Sequence, residues 1–379
     1  QVHLYRPFSG KHFLQALPAT VKRVAVLDRC KEMGATGEPL YQDVCTVLAN
    51  RENSPLVVGG RYGLSSKDTD PAQIVAVFQN LTAPEPKNGF TIGIQDDVTH
   101  HSLPVGPPLD LGGRCVACKF WGLGSDGTVG ANKNSIKIIG EYTDLYTQAY
   151  FEYDTKKSFG ITKSHLRFGQ DPILSTYLVK QADFIACHNQ SYLTKYDMVS
   201  ELKPGGTFLL NCEWSPEQVG AHLPAQVKRM LAEKQAKFYI IDANAISRSL
   251  GLGNRSNMVL QAAFFGLADI IPADQAVAHM KDAVEKTFRR KGEEVVRMNM
   301  AAIDSGIHGV QPVEIPADWA TAQDGPAMDQ PQPDWPPFIR KILCPLNAQK
   351  GDDLPVSAFL EYADGTMPLG TTAYEKRGI

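Results

Sequence analysis

The chain has 379 residues, which at roughly 100–200 residues per domain predicts two or three domains. Hydrophobic residues make up 43% and charged residues 21%, a composition that excludes a disordered, collagen-like or coiled-coil chain. The formal net charge of −3 gives no global field that would bind nucleic acid or an anionic membrane. No apolar run reaches the roughly 18 residues of a membrane-spanning helix.

Residues 1–100 alternate between strand and helix patterns. The candidate strands are Val21–Leu27 and Ser54–Gly60, and the candidate helices are Glu38–Ala49 and Pro71–Leu81. In the second helix we expect Ile74, Val77 and Phe78 to face inward. Strands that alternate with crossover helices predict a small parallel sheet covered on both faces. A Pro/Gly-rich stretch at 104–113 then marks a domain boundary.

A second alternating series occupies residues 114–315. Its candidate strands are Ala149–Tyr153, Phe184–Cys187, Thr207–Asn211 and Phe238–Asp242. Its candidate helices are Val129–Ile139, Ile173–Val179, Ala225–Lys234, Ser256–Leu267 and Asp274–Arg289. The sequence therefore predicts an α/β protein with two doubly wound, mostly parallel-sheet domains, at 1–100 and 114–315.

An irregular, proline-rich region, residues 325–379, follows these domains. Proline removes a backbone donor and restricts the residue before it, so this composition favours an extended linker or arm. The tail carries too little apolar material for an independent core, and we expect it to lean on a larger body or on a neighbouring domain outside this chain.

The seven cysteines are odd in number and scattered, a pattern that favours reduced thiols in a cytoplasmic protein over a disulfide framework. Cys115 and Cys118 form a lone C-x-x-C, and the next cysteine is Cys187. A zinc or iron–sulfur site needs further cysteines at close spacing. We therefore predict incidental buried thiols and no metal site, with redox or metal use of the pair as the alternative.

The sharpest local feature is the glycine-rich run Gly122–Lys133, which reads GLGSDGTVGANK. Glycines let a backbone approach a ligand closely, and a helix that follows them directs its free N–H groups at the loop, as in phosphate sites. About twenty residues later come Glu152 and then Lys156 and Lys157, an acid suited to ribose hydroxyls and lysines suited to a ribose phosphate. The alternative is a tight strand–helix turn that binds nothing.

Residues 156–167 concentrate lysine, arginine and hydroxyl side chains, which suits a polyphosphate ligand; a solvated loop is the alternative. His165 lies among them and belongs to the residue type that titrates near neutrality, but no acid or nucleophile stands beside it in sequence. The chain has no Gly-x-Ser-x-Gly elbow, Walker loop or His-Glu-x-x-His helix. We therefore predict a ligand cradle and no catalytic residue.

Several of these runs resemble the pyruvate:ferredoxin (flavodoxin) oxidoreductase family. Lys119–Ser135, which reads KFWGLGSDGTVGANKNS, resembles the hallmark of that family, and Leu4–Phe8, Gly59–Ser66 and Ser164–Arg167 resemble other parts of it. Thr371–Gly378, which reads TTAYEKRG, resembles the signature of the family's EKR domain. The matches run in consistent order over essentially the whole chain.

The resemblance implies a longer polypeptide, and Gln1, with no methionine or leader, is expected to lie inside it. Residues 1–100 would be a transketolase C-terminal-like domain, 114–315 a γ-type domain and 325–379 the incomplete EKR region. The full enzyme would make acetyl-CoA from pyruvate. It would use thiamine diphosphate, Mg²⁺ and [4Fe–4S] clusters held in its other domains, pass electrons to ferredoxin or flavodoxin, and form a homodimer.

Within that scheme the γ-type domain resembles the coenzyme A site. Gly124, Ser125, Asp126, Gly127, Thr128 and Val129 would receive the pyrophosphate. Lys156, Lys157 and Ser158 would contact the 3′-phospho-ADP end, and Asn257, a polar residue that opens a helix, completes the set. Two other hypotheses stay open: an autonomous Rossmann-type NAD(P) oxidoreductase that uses Glu152, and a structural interaction module.

Overall fold

The computed structural model describes residues 2–109, 111, 115–154, 160–268, 270–324 and 334–374. These residues divide into two units. The first unit holds 2–109, 111 and 334–374, and the second unit holds 115–154, 160–268 and 270–324. Among the described ranges, no helix combines the length and apolar character required to span a bilayer.

The first unit is built on a three-stranded parallel sheet in the order β1-β2-β3. Its elements are α1 (Gly10–Ala16), β1 (Arg23–Asp28), α2 (Pro39–Leu48), β2 (Leu56–Arg61), α3 (Pro71–Thr82) and β3 (Phe90–Thr91). One face of the sheet packs Val26 against Val44 and Leu48 of α2, and the other packs Val58 against Ala76 and Val77 of α3. Both faces are therefore covered, as the alternating pattern predicts.

Both strand predictions and both helix predictions for this unit are confirmed, within two residues at each end. The expectation that Phe78 faces inward is wrong, because its side chain is 63% exposed. The buried stripe of α3 instead runs through small and polar residues: Ala72, Gln73, Ala76 and Val77. Phe78 lies one residue, about 100°, around the helix from Val77, and thus outside that stripe.

The second unit contains a seven-stranded sheet in the order β10-β9-β8-β7-β4-β6-β5. Its strands are β4 (Cys115–Leu123), β5 (Tyr146–Tyr153), β6 (Ile161–Gly169), β7 (Ala182–Cys187), β8 (Leu202–Asn211), β9 (Lys237–Ile241) and β10 (Gln311–Val313). The four central strands β9, β8, β7 and β4 are parallel, whereas β6 is antiparallel to both β4 and β5, and β10 is antiparallel to β9. The α/β class is confirmed, and this sheet is mixed rather than uniformly parallel.

Helices cover both faces of the second sheet. They are α4 (Thr128–Tyr142), α5 (Pro216–His222), α6 (Ala225–Glu233), α7 (Ala243–Ser249), α8 (Asn257–Ala268), α9 (Ala273–Phe288) and α10 (Glu293–His308). One core lies between the sheet and α4, α8, α9 and α10, and the other core lies on the opposite face with α5 and α6. Helix α8 is apolar nearly all round, and its residues 258–265 are all buried.

The four candidate strands of this unit are confirmed as β5, β7, β8 and β9, and four candidate helices as α4, α6, α8 and α9. The helix predicted at Ile173–Val179 is wrong, because this segment forms an irregular connection between β6 and β7. Its backbone bonds to sheet side chains: Val179 N–H donates to His165 Nδ1, and Gln148 Nε2 donates to the Ser175 carbonyl. These long-range partners replace helical hydrogen bonds.

The tail residues 334–374 contain short helical turns and a four-residue helix, α11 (Cys344–Asn347). Its buried side chains are few: Phe338, Ile339 and Ile342. The tail belongs to the first unit although it follows the second unit in sequence. The expectation that it leans on a larger body is confirmed.

Gly306 lies where α10 packs tightly against α8. An ideal Cβ at Gly306 would lie 2.4 Å from the Val259 carbonyl oxygen. We expect Gly306→Ala to lower the free energy of unfolding by about 1–3 kcal/mol, because the two helices must separate. In α4, by contrast, Gly130 has open space around it, so Gly130→Ala should raise the same free energy by about 0.5–1 kcal/mol. Urea denaturation of both variants measures this difference, and equal effects of the same sign would contradict the packing argument.

Candidate functional site

The glycine loop connects β4 to α4 at the carboxyl edge of the four parallel strands. In α/β sheets this edge is where ligands bind. Polar residues also follow the neighbouring strands: His188 comes directly after β7, and Asn211 ends β8. Asn211 joins the strand ends, because its Nδ2 donates to the His188 carbonyl at 2.9 Å and its Oδ1 accepts from Ala243 N–H at 3.0 Å.

Two glycines give the loop its shape for different reasons. Gly127 has φ of +90°, a left-handed conformation that a side chain would strain. Gly122 faces Thr128, and an ideal Cβ there would lie 2.6 Å from Thr128 Oγ1. Ser125 also adopts a positive φ, of +76°. The loop therefore needs glycine where the backbone turns and where Thr128 packs.

Asp126 holds the loop from inside. Its carboxylate accepts hydrogen bonds from Leu123 N–H at 2.8 Å, Thr128 N–H at 2.7 Å and Thr128 Oγ1 at 2.8 Å. Thr128 Oγ1 also lies 2.8 Å from His188 Nδ1. Because a carboxylate can only accept, the Thr128 hydroxyl proton points to Asp126, and His188 donates from Nδ1–H to Thr128. Burial lowers the pKa of His188, so this imidazole stays neutral with its proton on Nδ1.

The backbone amides of the loop fall into two groups. Three are bonded within the protein: Gly124 N–H to the Gly160 carbonyl at 2.6 Å, Asp126 N–H to the Leu123 carbonyl at 3.0 Å, and Thr128 N–H to Asp126. Within the described part of the chain, four others find no acceptor: the amides of Ser125, Gly127, Val129 and Gly130. They lie at the start of the 15-residue helix α4, where a helix favours negative charge. This arrangement can hold an anion.

Asn257 lies against the loop although it is far away in sequence. An ideal Cβ at Gly127 would lie 3.2 Å from Asn257 Cγ and 3.3 Å from its Nδ2. Asn257 is the first residue of α8, and Gly127 directly precedes α4. The positive ends of two helices therefore meet at Gly127, and the structure brings Asn257 together with the predicted loop residues.

Lys156, Lys157 and Ser158 lie outside the described residues. Of the described residues on either side of them, Gly160 bonds to the loop. Asp154 N–H donates to the Ile161 carbonyl at 3.0 Å, and the Gly160 carbonyl accepts the hydrogen bond from Gly124 N–H. Gly160 therefore lies next to the glycine loop, whereas Asp154 lies one strand further away, beside Ile161 of β6.

The cations on β6 face the interior rather than a ligand. Lys163 Nζ lies 3.3 Å from Glu152 Oε1, and Arg167 Nη1 donates to Gln148 Oε1 at 2.9 Å. The hydroxyl residues Thr162 and Ser164 are buried. The polyphosphate interpretation of this part of residues 156–167 is therefore wrong, because the two cations have partners within the sheet and the two hydroxyls are buried away from a ligand.

The Glu152 carboxylate is likewise hydrogen-bonded to a side chain within the sheet, that of His165. His165 Nε2 lies 2.6 Å from Glu152 Oε2, while His165 Nδ1 accepts from Val179 N–H at 3.1 Å. The second bond fixes the proton of His165 on Nε2, which donates to the carboxylate. Strand β5 is also separated from β4 by β6. The acid that the dinucleotide hypothesis assigned to ribose hydroxyls is thus paired on an edge strand.

Burial controls the protonation of this pair. Burial and the charge of Lys119 lower the pKa of His165 to about 4, against the opposing bond to Glu152. Burial raises the pKa of Glu152, but the hydrogen bond from His165 and the charges of Lys163 and Lys119 outweigh it and bring the pKa to about 2. The prediction that His165 titrates near neutrality is therefore wrong.

The cysteine pair lies on one strand with the two side chains on opposite faces. Cys115 and Cys118 are three residues apart on β4, and successive side chains of a strand alternate in direction. Burial raises the pKa of both thiols. All seven cysteines are free thiols, and the described residues contain no group of three or more His, Cys, Asp or Glu side chains placed to hold a metal ion.

Sequence reasoning missed His188 as part of this site. A signal was available, because His188 directly follows the apolar run Phe184–Cys187 that was predicted as a strand. A polar residue at that position of a parallel strand lies on the carboxyl edge, beside the glycine loop.

The sequence model of the family described as "Pyruvate ferredoxin/flavodoxin oxidoreductase" matches residues 117–308, about half of the chain. The chain belongs to this family. A second model, "EKR: Domain of unknown function", matches residues 326–379. The family match spans the glycine loop, His188 and Asn257, so all three lie in its characteristic region.

Curated members of the family match over the whole chain. The chain is 55% identical over 380 residues to a pyruvate:ferredoxin oxidoreductase of Moorella thermoacetica and 56% identical over 380 residues to a pyruvate-flavodoxin oxidoreductase of Klebsiella pneumoniae. It spans 32%, about a third, of the length of each.

Among solved structures, a pyruvate oxidoreductase subunit of Thermotoga maritima matches with a TM-score of 0.43 and 19% sequence identity. The match covers 53% of this chain and 99% of that subunit.

The hydrogen-bond chain from Asp126 through Thr128 to His188 can be tested by removing the Thr128 hydroxyl. We expect Thr128→Val to lower the free energy of unfolding by about 1–3 kcal/mol, because Asp126 and His188 both lose a buried partner. The matched control is Thr46→Val on α2, whose exposed hydroxyl bonds only to the Gln42 carbonyl of its own helix. It should change the free energy by less than about 0.5 kcal/mol. If denaturant titrations show the same change in the free energy of unfolding for both variants, the hydrogen bonds of Thr128 to Asp126 and His188 do not stabilise the loop.

The pair of His165 and Glu152 predicts an acid-dependent stability. Since the folded pKa of His165 is about 4 and an unfolded histidine titrates near 6.5, the unfolded chain takes up the extra proton between these values. Stability from this group is thus complete above about pH 6.5 and is lost toward pH 4, by about 3 kcal/mol.

The variant His165→Gln keeps a donor to Glu152 but has no imidazole to protonate. We expect it to flatten the pH dependence of the free energy of unfolding between pH 6.5 and 4. His100→Gln, at an exposed histidine, is the control and should retain the wild-type slope. A His165→Gln variant with the full wild-type slope would show that another group is responsible.

Proposed function

We propose that the second unit binds coenzyme A as part of a longer pyruvate:ferredoxin or flavodoxin oxidoreductase. The observation that carries the proposal is the set of four open amides, those of Ser125, Gly127, Val129 and Gly130, at the point where α4 and α8 begin. Such a site suits the pyrophosphate of coenzyme A, because it supplies donors and positive potential without a side chain in the way.

The proposed roles of the loop residues follow from their hydrogen bonds. Ser125, Gly127 and Val129 donate amides to the pyrophosphate. Gly124, Asp126 and Thr128 shape the loop, since their own amides are bonded within the protein. Asn257 adds a side-chain amide from the start of α8, where it touches Gly127.

Lys156, Lys157 and Ser158 are proposed to contact the 3′-phospho-ADP end. Support comes from their place in the chain just before Gly160, whose carbonyl accepts a hydrogen bond from Gly124 N–H of the glycine loop. The lysines on β6 and its neighbour are paired internally, so the cations for a third phosphate must come from elsewhere.

The proposed enzyme oxidatively decarboxylates pyruvate and releases acetyl-CoA. Thiamine diphosphate, Mg²⁺ and [4Fe–4S] clusters would lie in parts of the polypeptide outside this third, and the whole enzyme would be a homodimer that passes electrons to ferredoxin or flavodoxin. We further propose that residues 1–100 form a transketolase C-terminal-like domain, 114–315 the γ-type domain and 325–379 the EKR region. The relative named for ferredoxin and the relative named for flavodoxin are nearly equally similar to this chain, at 55% and 56% identity.

Calorimetric titration of the full chain with coenzyme A tests the proposal. We expect the double variant Lys156→Ala/Lys157→Ala to bind coenzyme A at least about 100-fold more weakly, since each of the two charge-assisted contacts contributes about 1.5–3 kcal/mol. The matched control is Lys137→Ala, an exposed lysine of α4 about 13 Å along the helix from Thr128. It should bind as the wild type does.

Two further ligands identify which end of coenzyme A each group contacts. Dephospho-CoA lacks the 3′-phosphate, so the wild type should bind it more weakly than it binds coenzyme A. The double variant, which lacks the two lysines, should bind the two ligands with similar affinity. Asn257→Ala should weaken the binding of coenzyme A and of dephospho-CoA by the same factor. Tight binding of NAD without binding of coenzyme A would favour the dinucleotide hypothesis, and no binding of either would favour the interaction module.

A further inference from the structure

The tail of the chain matches a family whose role its own description leaves open. The described part of that match, residues 334–374, is called the EKR segment here. It is about 40 residues long, has short helical turns, and buries only Phe338, Ile339 and Ile342 as a core. A piece of this size seldom folds without disulfides, metals or another body to pack on. The described cysteine of the segment, Cys344, is a free thiol.

The segment bonds to the first unit across more than 250 residues of sequence. Val356 N–H donates to the Gln95 carbonyl at 2.9 Å, and Ser357 N–H donates to Asp97 Oδ1 at 2.9 Å. The Ser357 hydroxyl donates to the other oxygen, Asp97 Oδ2. One serine thus satisfies both carboxylate oxygens of Asp97, and its hydrogen bonds lower the pKa of Asp97.

A second attachment lies a few residues earlier in the segment. Lys67 Nζ donates to the Asp352 carbonyl at 2.8 Å and lies 3.3 Å from Asp352 Oδ1. The stretch Asp352–Ser357 therefore bridges two points of the first unit.

The receiving loop, Gly93–Leu103, is folded by its own hydrogen bonds. The Asp96 carboxylate accepts from the backbone N–H groups of Val98, Thr99 and His101. The loop returns alongside β3, where Leu103 N–H donates to the Thr91 carbonyl at 2.9 Å. The two adjacent acids therefore have different partners. Asp96 bonds within the loop, and Asp97 bonds to the EKR segment.

This loop lies at a functional position of the fold. It follows β3 directly, so it lies at the carboxyl edge of the parallel sheet of the first unit. In open α/β sheets, loops on that edge form the ligand sites, and their conformation decides what binds there.

We propose that the EKR segment is an intramolecular clamp, in which Asp352–Ser357 fixes the loop Gly93–Leu103 at the carboxyl edge of the first unit. The clamp explains why a segment that follows the second unit packs in the first. It does not depend on the coenzyme A site, which belongs to the second unit.

Hydrogen–deuterium exchange of the full chain tests the clamp. In Ser357→Ala and Asp97→Asn we expect amide protection to fall about three- to tenfold in residues 93–103 and 352–357, the size of one solvent-exposed hydrogen bond. The double variant should lose no more than the larger single loss, because both changes break the same contact. Ser357→Thr keeps the hydroxyl and should keep the protection.

Asp364→Asn is the matched control, because Asp364 is an aspartate of the same segment that accepts from Thr366 N–H in its own turn. It should leave residues 93–103 unchanged. The proposal is overturned if the loop keeps its protection in Ser357→Ala and Asp97→Asn. It is equally overturned if protection falls as much in β1 or in the control, since the contact would then serve overall stability alone.

Discussion

The close contact at Gly127 is the constraint on which the candidate site depends. Two helices begin there, and each helix start carries a partial positive charge of about half a unit. Their convergence costs energy unless negative charge is near. Asp126 places one carboxylate next to Gly127, and this carboxylate accepts hydrogen bonds from Leu123 N–H and Thr128 N–H on the inner side of the loop. A carboxylate in a phosphate-type loop is thus explained, because it stabilises the loop while leaving the exposed amides free for a ligand.

The glycine loop and its helix were predictable from sequence because their determinants are local. Glycines, a following periodic run and a stop at the helix end lie within some twenty residues. Asn257 was also identified, since a polar residue opening an apolar helix is a local signal. Its contact with Gly127, 130 positions earlier in sequence, and the bond from Thr128 to His188 depend on tertiary packing, which periodicity does not encode.

Two of the errors, at Ile173–Val179 and at β6, share one physical origin. The Ile173–Val179 segment has helical spacing, but Val179 bonds to His165 and Ser175 to Gln148, and these partners are better satisfied by an irregular backbone. Likewise β6 was not identified as a strand, since its lysine and histidine resemble a solvated loop until Glu152 on β5 pairs with Lys163 and accepts a hydrogen bond from His165. In each case a long-range polar partner overrides a local pattern.

The charges around Trp121 show where positive potential for a ligand must arise. Lys119 pairs with Glu201 and Lys163 with Glu152, while His165 is neutral, so this interior cluster carries no net charge. Both lysines also lie over the Trp121 ring, at 5.2 and 5.5 Å from its centre, which commits them further to the interior. A cluster whose charges are cancelled cannot attract a polyphosphate. For an anion at the glycine loop, the backbone amides and the two helix starts therefore supply the attraction that the sequence had suggested for Lys163.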